Sequence, residues 1–485
     1  MAHPAEPTPL FTPSASMRLW TLHRRTLLTL TVLGGLYGLL VAIPTPPGLS
    51  LQGQRVLAVA ALAIGLWCTE MLPAGVTGML VVLLLVLSGG VAGFREALAG
   101  FAEPVTYFLM AVLTLGLAVL RSGLAERVAR FSLRHCAGRP HALYAHLLLS
   151  FPVLTLLLPS ATTRTGILIH VYDQALELSQ VPRGAPLAKA IMLALNSVNR
   201  LASTILLTGG ITPVVSAALI GGIAWSRWLV LLSVPYGVLL AIAAGLIYAL
   251  HHRGFGPSLP HMPPTASVPL SGLEWRTALI TLGAALLWLT DAVHHWHPVI
   301  PALLAWVCLL TPGIGVLTWK EFERDLGWAN LFVLASSLSL AQALVHSGAG
   351  AWMASLLIQS TPALAQHPYL LIVVLLLATA PVRLLIPNIT GFLALTIPVA
   401  MSIAQSTGLN PTLCGLVVMI AGDAVLYYPA QSASSLVVYQ RGHLTAPEIF
   451  RFGVWMTLAA YVVVLAVALP YWALVGEPLR LRTGP

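Results

Sequence analysis

Apolar runs long enough to cross about 30 Å of hydrocarbon recur along this chain, and almost every charge lies between them. The runs occupy 26–43, 55–69, 75–91, 105–122, 187–224, 228–250, 275–293, 298–317, 328–346, 411–440 and 450–475, eleven in all. Only 8% of the 485 residues are charged, against about 25% in a soluble domain. That excludes an ordinary cytosolic enzyme and a disordered chain. The net charge of +9 is not a nucleic-acid signal: Lys189 and Lys320 are the only lysines, and the arginines are scattered over short loops. Cys68, Cys136, Cys308 and Cys414 are too few to staple a fold and read as unpaired buried thiols. The fold class is therefore an all-α polytopic membrane protein.

Two further apolar stretches, 143–178 and 368–405, each carry a Pro-centred polar break. The breaks read Leu158-Pro159-Ser160-Ala161-Thr162-Thr163-Arg164-Thr165-Gly166 and Leu385-Ile386-Pro387-Asn388-Ile389-Thr390-Gly391. With each half too short for a comfortable crossing, both stretches read as re-entrant hairpins whose tips meet in mid-membrane. The arginine distribution agrees with eleven spans plus two hairpins. Arg127, Arg130, Arg134, Arg139, Arg183, Lys189, Arg253, Arg276, Lys320, Arg324, Arg441 and Arg451 fall on one side, taken as cytoplasmic. The opposite side holds only Arg55, Arg95, Arg227, Arg480 and Arg482. This places the N-terminus inside and the C-terminus outside, with 26–43 an uncleaved first helix rather than a signal peptide.

The chain also repeats itself. Gly90-Val91, Phe94-Arg95-Glu96 and Ser122-Gly123 align without gaps on Gly315-Val316, Trp319-Lys320-Glu321 and Ser347-Gly348, an offset of 225, and the two Pro-centred tips align at 228. An odd number of spans separates the copies, so the repeats are inverted, the signature of a secondary transporter with its site at the repeat interface. The expected organisation is a cytoplasmic tail over 1–25, scaffold helices with an interfacial arm over 26–142, and a substrate-carrying part over 143–250. A linker over 251–274, scaffold helices over 275–360 and a second substrate-carrying part over 361–485 follow. Leu124, Val128 and Phe131, beside Arg127, Arg130 and Arg134, predict an amphipathic arm helix at the membrane surface.

Non-helical backbone at membrane depth is tolerated only where it lines a cavity or is buried in protein. The helix starting after each tip offers free N–H groups to an anion, and nearby carbonyls and hydroxyls suit a small cation. Ser160, Ala161, Thr162 and Thr163 at one tip, and Asn388, Ile389 and Thr390 at the other, are the candidate substrate-binding residues. Breaks at Thr208-Gly209-Gly210-Ile211-Thr212-Pro213 and Tyr427-Tyr428-Pro429-Ala430-Gln431-Ser432 add Gly209, Thr212, Pro213, Gln431 and Ser432. Ionisable side chains within apolar segments cost about 2.5–3.5 kcal/mol each and mark function; here they are Arg164, Arg200, Arg383 and Asp423. Arg164, at a tip, is expected to pair with a substrate carboxylate. Asp423, with Ser160 and Asn388, is a candidate for ion or proton coupling, or else a structural partner of an arginine. Glu70 and Asp291 are expected to face water or an interface. His294, His295 and His297 sit at a span end without a carboxylate motif, and no metal is expected there.

The run Trp67-Cys68-Thr69-Glu70-Met71-Leu72-Pro73, then Phe94-Arg95-Glu96-Ala97-Leu98-Ala99-Gly100-Phe101 and Arg121-Ser122-Gly123-Leu124-Ala125, resembles the divalent anion/sodium symporter family. So do Val437-Val438-Tyr439-Gln440-Arg441-Gly442-His443-Leu444-Thr445 and Leu469-Pro470-Tyr471-Trp472-Ala473-Leu474, so that the similarity covers about 55–475. The resemblance implies a homodimer of eleven-span protomers working as an elevator, carrying dicarboxylates, citrate or sulfate. It also implies a Ser-Asn-Thr triplet at each tip, shaping substrate and sodium sites. Here the first tip reads Ser160-Ala161-Thr162 and the second Pro387-Asn388-Ile389 before Thr390, so each triplet is incomplete. Thr162-Thr163-Arg164-Thr165-Gly166 is closer to the exchanger branch, where arginine supplies a fixed positive charge in place of sodium. The expected function is secondary transport of a small divalent anion, by sodium symport or by sodium-independent or proton-linked exchange. Sodium and the proton are the coupling ions to weigh, and no cofactor is implied. The rival substrate is sulfate or another oxyanion, for which Tyr427 and Tyr428 would narrow the pocket. An intramembrane enzyme lacks any Gly-x-Ser-x-Gly, His-Glu-x-x-His or aspartate pair, and a channel fits the paired breaks poorly.

Overall fold

The computed structural model describes residues 15–134, 138–158, 160–256, 259, 269–360 and 367–480. Cys136, the tip residue Pro159, linker residues 257, 258 and 260–268, and the tail before Ala15 lie outside them. The described residues are helical, with one isolated β-bridge between Leu409 and Arg480. Ala15–Ala42 (α1), Leu51–Thr69 (α2), Ala74–Leu87 (α3) and Pro104–Ser122 (α4) come first. Leu124–Arg134 (α5) leads to Pro140–Leu157 (α6) and Ala161–Leu178 (α7), joined at the first tip. A broken helix follows, 186–205 (α8) and Ile211–Ile220 (α9), then Trp225–His251 (α10). The second half contains Gly272–Leu289 (α11), Val299–Leu310 (α12), Trp319–Asp325 (α13), Trp328–His346 (α14) and Ala349–Ser360 (α15). It closes with Pro368–Leu385 (α16), Ile389–Thr407 (α17), Pro411–Asp423 (α18), Ala433–Tyr439 (α19) and Ala446–Leu474 (α20).

The repeat is visible helix by helix. α3 corresponds to α12, α4 to α14, α5 to α15, α6 to α16, α7 to α17, and the broken pair α8–α9 to α18–α19. Packing follows the same relation: α3 lies along α14 while α4 lies along α12, one contact used twice by two halves of opposite orientation. Glycine permits the close approaches. A Cβ on Gly78 of α3 would stand 2.4 Å from Ser336 Oγ, and one on Gly100 would stand 2.0 Å from the Ala335 carbonyl oxygen.

Among the described residues eight helices are long and apolar enough to cross a membrane, and the chain is a polytopic membrane protein. The expected spans need correction in three places. α6, α16 and α17 have 18 or 19 residues and are long enough to span. What sets the hairpins apart is the tip, not short arms. The runs 75–91 and 298–317 fold as the shorter helices α3 and α12, because Gly89-Gly90 and Pro312-Gly313 end them early. α1 begins at Ala15, which puts Arg18, Arg24 and Arg25 in the helix rather than in a tail. Asp291 does not face water: it is buried, and its Oδ2 accepts from the Ser226 amide at 3.0 Å, tying the α11 end to α10. Of the thiols, Cys414 is buried, Cys68 half-buried and Cys308 exposed on an apolar helix.

The short helix α13 ties the two halves at one end. Asp325 accepts from Arg121 Nη2 at 2.5 Å and from Arg324 Nε at 2.9 Å. The Arg324 guanidinium, then that of Arg121, holds its carboxyl well below the usual carboxylate range. A depressed folded pKa contributes stability above the unfolded value, and this is lost as pH falls through the folded one. Asp325→Asn is therefore expected to lower the thermal unfolding midpoint of the detergent-solubilised protein at pH 7. The deficit should shrink as pH drops below about 4; a deficit independent of pH would contradict this role.

Candidate functional site

Each tip is a helix start made by its own polar residue. Ser160, in extended conformation, accepts from the Thr163 amide at 3.2 Å and from Thr163 Oγ1 at 3.0 Å, capping α7. Asn388 Oδ1 accepts from the Thr390 and Gly391 amides at 2.9 and 3.4 Å, capping α17. Both are N-cap residues in the ordinary sense, and both hold a helix N-terminus toward the same space.

The breaks opposite the tips free backbone carbonyls where no water can solvate them, and three buried arginines take up that deficit. Arg164 is fully buried; its Nε donates to Asn199 Oδ1 at 2.9 Å, and its two terminal nitrogens serve Leu158 O, Gly209 O, Asn199 O and Ser203 Oγ. A guanidinium has five N–H donors, so none remains. Arg164 thus stitches the first tip to the first broken helix. It does not reach the cavity described below, and the expectation that it pairs with a substrate carboxylate is corrected accordingly. Arg383 does the equivalent in the second half from the other arm of its hairpin. Its Nε donates to Gly422 O at 3.1 Å, and its Nη1 to Ile386 O and Pro387 O at 2.6 and 2.7 Å. Its Nη2 makes no hydrogen bond with the described residues, and the side chain lines the cavity.

Arg200 joins the halves. Its Nη1 meets Asp423 Oδ1 at 3.1 Å, and its Nη2 donates to Val425 O in the second break at 3.1 Å. Asp423 is fully buried, and its Oδ2 also accepts from Thr204 Oγ1 at 2.7 Å and Tyr236 at 3.0 Å. Asp423 is therefore paired with an arginine, and it does not line the cavity. Gly209 is required sterically, since a Cβ there would lie 2.0 Å from Ser203 O, and Gly422 leaves room for Phe392. In the second break Gln431 bridges, accepting from the Tyr427 amide at 2.6 Å and donating to Arg383 O at 2.8 Å. Tyr427 turns away to Thr457 and Tyr428 caps Leu384 O, so neither narrows the cavity.

The tips and breaks converge on one cavity of about 540 Å³. Ser160, Thr162, Thr163, Asn388, Ile389, Thr390, Thr212, Gln431 and Ser432 line it, as the sequence predicted for a shared site; Ala161, Gly209 and Pro213 do not. Arg200 and Arg383 complete the polar wall. Missing from the sequence-derived set are Asn330, Asp325 and Glu70, contributed by α14, α13 and the end of α2. Glu70 was legible only as a charge at a span end, and Asn330 only as a polar residue in an apolar helix.

A second cavity of about 890 Å³ lies at the other end of the same seam. Four helices line both. α4 contributes Leu113, Gly116, Leu117 and Leu120 to the tip cavity but Val105 and Phe108 to the other. α14 contributes Ala329, Asn330 and Val333 to the first and Leu338, Ala341 and Gln342 to the second. α9 and α17 divide in the same way. The seam between α4/α14 and α9/α17 is therefore hollow at both ends and closed in the middle.

Residues 22–477 match the family described as the sodium:sulfate symporter transmembrane region. A membrane protein of Cupriavidus necator is 24% identical over 469 residues, covering 90% of each chain. The citrate/succinate antiporter of Escherichia coli is 24% identical over 371 residues, covering 72% of this chain and 74% of its own. The L-tartrate/succinate antiporter of the same organism is 24% identical over 245 residues, 48% of each chain. The fold matches a crystal structure of the Alcanivorax borkumensis YdaH transporter with a TM-score of 0.58 at 16% identity, covering 95% of this chain and 99% of that one.

If Arg164 is a stitch, Arg164→Lys is expected to lose stability rather than affinity. A lysine cannot serve the acceptors of a five-donor fork, and disrupting a buried charge of this kind costs about 3 kcal/mol. Thermal unfolding should show a lower midpoint, while the ligand-induced rise in the midpoint persists in the folded fraction. An unchanged midpoint with no ligand effect would return Arg164 to the substrate.

Proposed function

The chain belongs to the sodium:sulfate symporter family, and on that premise we propose that it carries small divalent organic anions, di- or tricarboxylates, across the cell membrane. The carrying observation is the tip cavity, where two capped helix starts, the uncapped start of α9 and the Arg383 Nη2 converge. Ser160, Thr162, Thr163, Asn388 and Thr390 offer hydroxyl and amide groups to carboxylate oxygens, and Arg383 offers charge. The mechanism is an elevator: the part carrying the tips and broken helices, α6–α10 with α16–α20, slides along the wall formed by α4 and α14. Closure of one hollow end of the seam then accompanies opening of the other. The wall belongs to a scaffold of α1–α4 and α11–α14 that also holds a homodimer. By the positive-inside rule, the tip cavity faces the cytoplasm, the N-terminus lies inside and the C-terminus outside.

Charge favours exchange over sodium symport. Within the apolar segments of the part that carries the tips, Arg164, Arg200 and Arg383 stand against Asp423, three positive charges to one negative, while Glu70 and Asp325 of the cavity wall belong to the scaffold side. An empty carrier would move that excess through a low-dielectric wall, which is costly; a bound dianion cancels it. No sodium ion is then needed to balance the charge, and Asp423 is engaged by Arg200, Thr204 and Tyr236. Antiporters of citrate/succinate and L-tartrate/succinate among the relatives fit this reading. Sulfate, favoured by the family's description, is the second reading, but a cavity of about 540 Å³ exceeds what one tetrahedral oxyanion fills.

In proteoliposomes preloaded with succinate, uptake of labelled succinate is expected without sodium and only with internal anion. Arg383→Gln should raise the KM at least about tenfold, equivalent to about 1.4 kcal/mol. Uptake strictly dependent on a sodium gradient would overturn exchange; transport of sulfate with no effect of dicarboxylates would overturn the substrate class.

A further inference from the structure

The cavity opposite the tips has a rim unlike the rest of the seam. His295 and His297, from the loop between α11 and α12, and His346, the last residue of α14, line it together with Glu103 at the start of α4. These four are the titratable groups in its wall: α9 contributes aliphatic residues, and α17 contributes Pro398, Met401, Ser402 and Gln405. Glu103 Oε1 accepts from Gln342 Nε2 at 2.8 Å. The neighbouring His294 is spent on the backbone, its Nε2 on Leu287 O at 2.8 Å and its Nδ1 accepting from the Trp296 amide at 3.0 Å. His297 uses only Nδ1, on the Val299 amide at 3.3 Å. The imidazoles of His295 and His346 are exposed at the rim, and neither ring makes a hydrogen bond among the described residues.

Imidazole changes charge between about pH 5 and 8. With the three imidazoles neutral, the rim carries the single negative charge of Glu103; with all three protonated it carries three positive charges against that one. Between those two protonation states the cavity reverses sign, over an apolar floor of Phe108, Leu207, Val214 and Leu338 that focuses the field. We propose that this rim is a capture subsite for small dicarboxylate dianions on the face opposite the tip cavity, effective when its imidazoles are protonated. The subsite rests on the alternating-access reading above, since a substrate arriving from that face must cross this cavity to reach the tips. His295, His297 and His346 gather the anion, and Glu103 discharges the rim at higher pH.

The potential can be read without turnover. In a background with the native cysteines replaced by serine, Ser402→Cys places a thiol in the cavity wall. Its rates of modification by an anionic sulfonatoethyl and a cationic trimethylammonium-ethyl methanethiosulfonate are compared in the reconstituted protein. Their ratio cancels the thiol's own ionisation. The anionic-to-cationic ratio is expected to rise about tenfold or more from pH 7.5 to pH 5.5. Millimolar succinate should slow the anionic reagent at the lower pH only. Both effects should disappear in His295→Gln/His297→Gln/His346→Gln. A ratio independent of pH, or unchanged in the triple variant, overturns the subsite. So does a pH-dependent ratio with no protection by succinate. Because labelling needs no transport, sodium-free exchange with a flat ratio would leave the carrier reading standing and remove only the capture subsite.

Discussion

The constraint on which this molecule depends is that four stretches of backbone leave helical geometry at membrane depth, where each bare carbonyl costs several kcal/mol. Ser160 and Asn388 satisfy amides at the tips, but carbonyls need donors, and the densest donor available to a protein is a guanidinium. Arg164, Arg200 and Arg383 meet that need at Leu158, Asn199, Gly209, Ile386, Pro387, Gly422 and Val425. The positive charge that comes with them is a consequence of backbone chemistry first and a resource for anion binding second. Asp423 discharges one of the three and links the two halves through Arg200.

That division explains why only part of the site was legible in the sequence. The apolar runs, the Pro-centred tips and the two breaks announced themselves through composition and repetition, and the tips do meet at one cavity. The four intramembrane charges were also conspicuous. Their assignment was not, because a side chain's position in a run does not say which way it points. Arg164 looked like the ligand because it sits at a tip, yet it turns back into the protein; Arg383, in the last turn of the ordinary apolar helix Pro368–Leu385, has the spare donor. The wall residues Asn330 and Asp325 come from the opposite side of the seam, and nothing in the pattern of tips and breaks pointed to them.

The seam gives the carrier its geometry. α4 and α14 are repeat counterparts, and each lines both cavities with opposite ends. Small residues such as Gly116, Ala341 and Ala217 stand among the larger ones that line the two ends of the seam.

The two stitching arginines occupy different arms: Arg164 follows its tip, on α7, while Arg383 precedes its tip, on α16. The duplication is therefore architectural and not chemical. A gene built from two copies of the first half would reproduce every helix. It would place Phe392's position under an arginine and leave the contacts of Arg383 to a threonine, Thr155. Each hairpin has its own donor on its own arm, so the two halves are partners that cannot be exchanged one for the other.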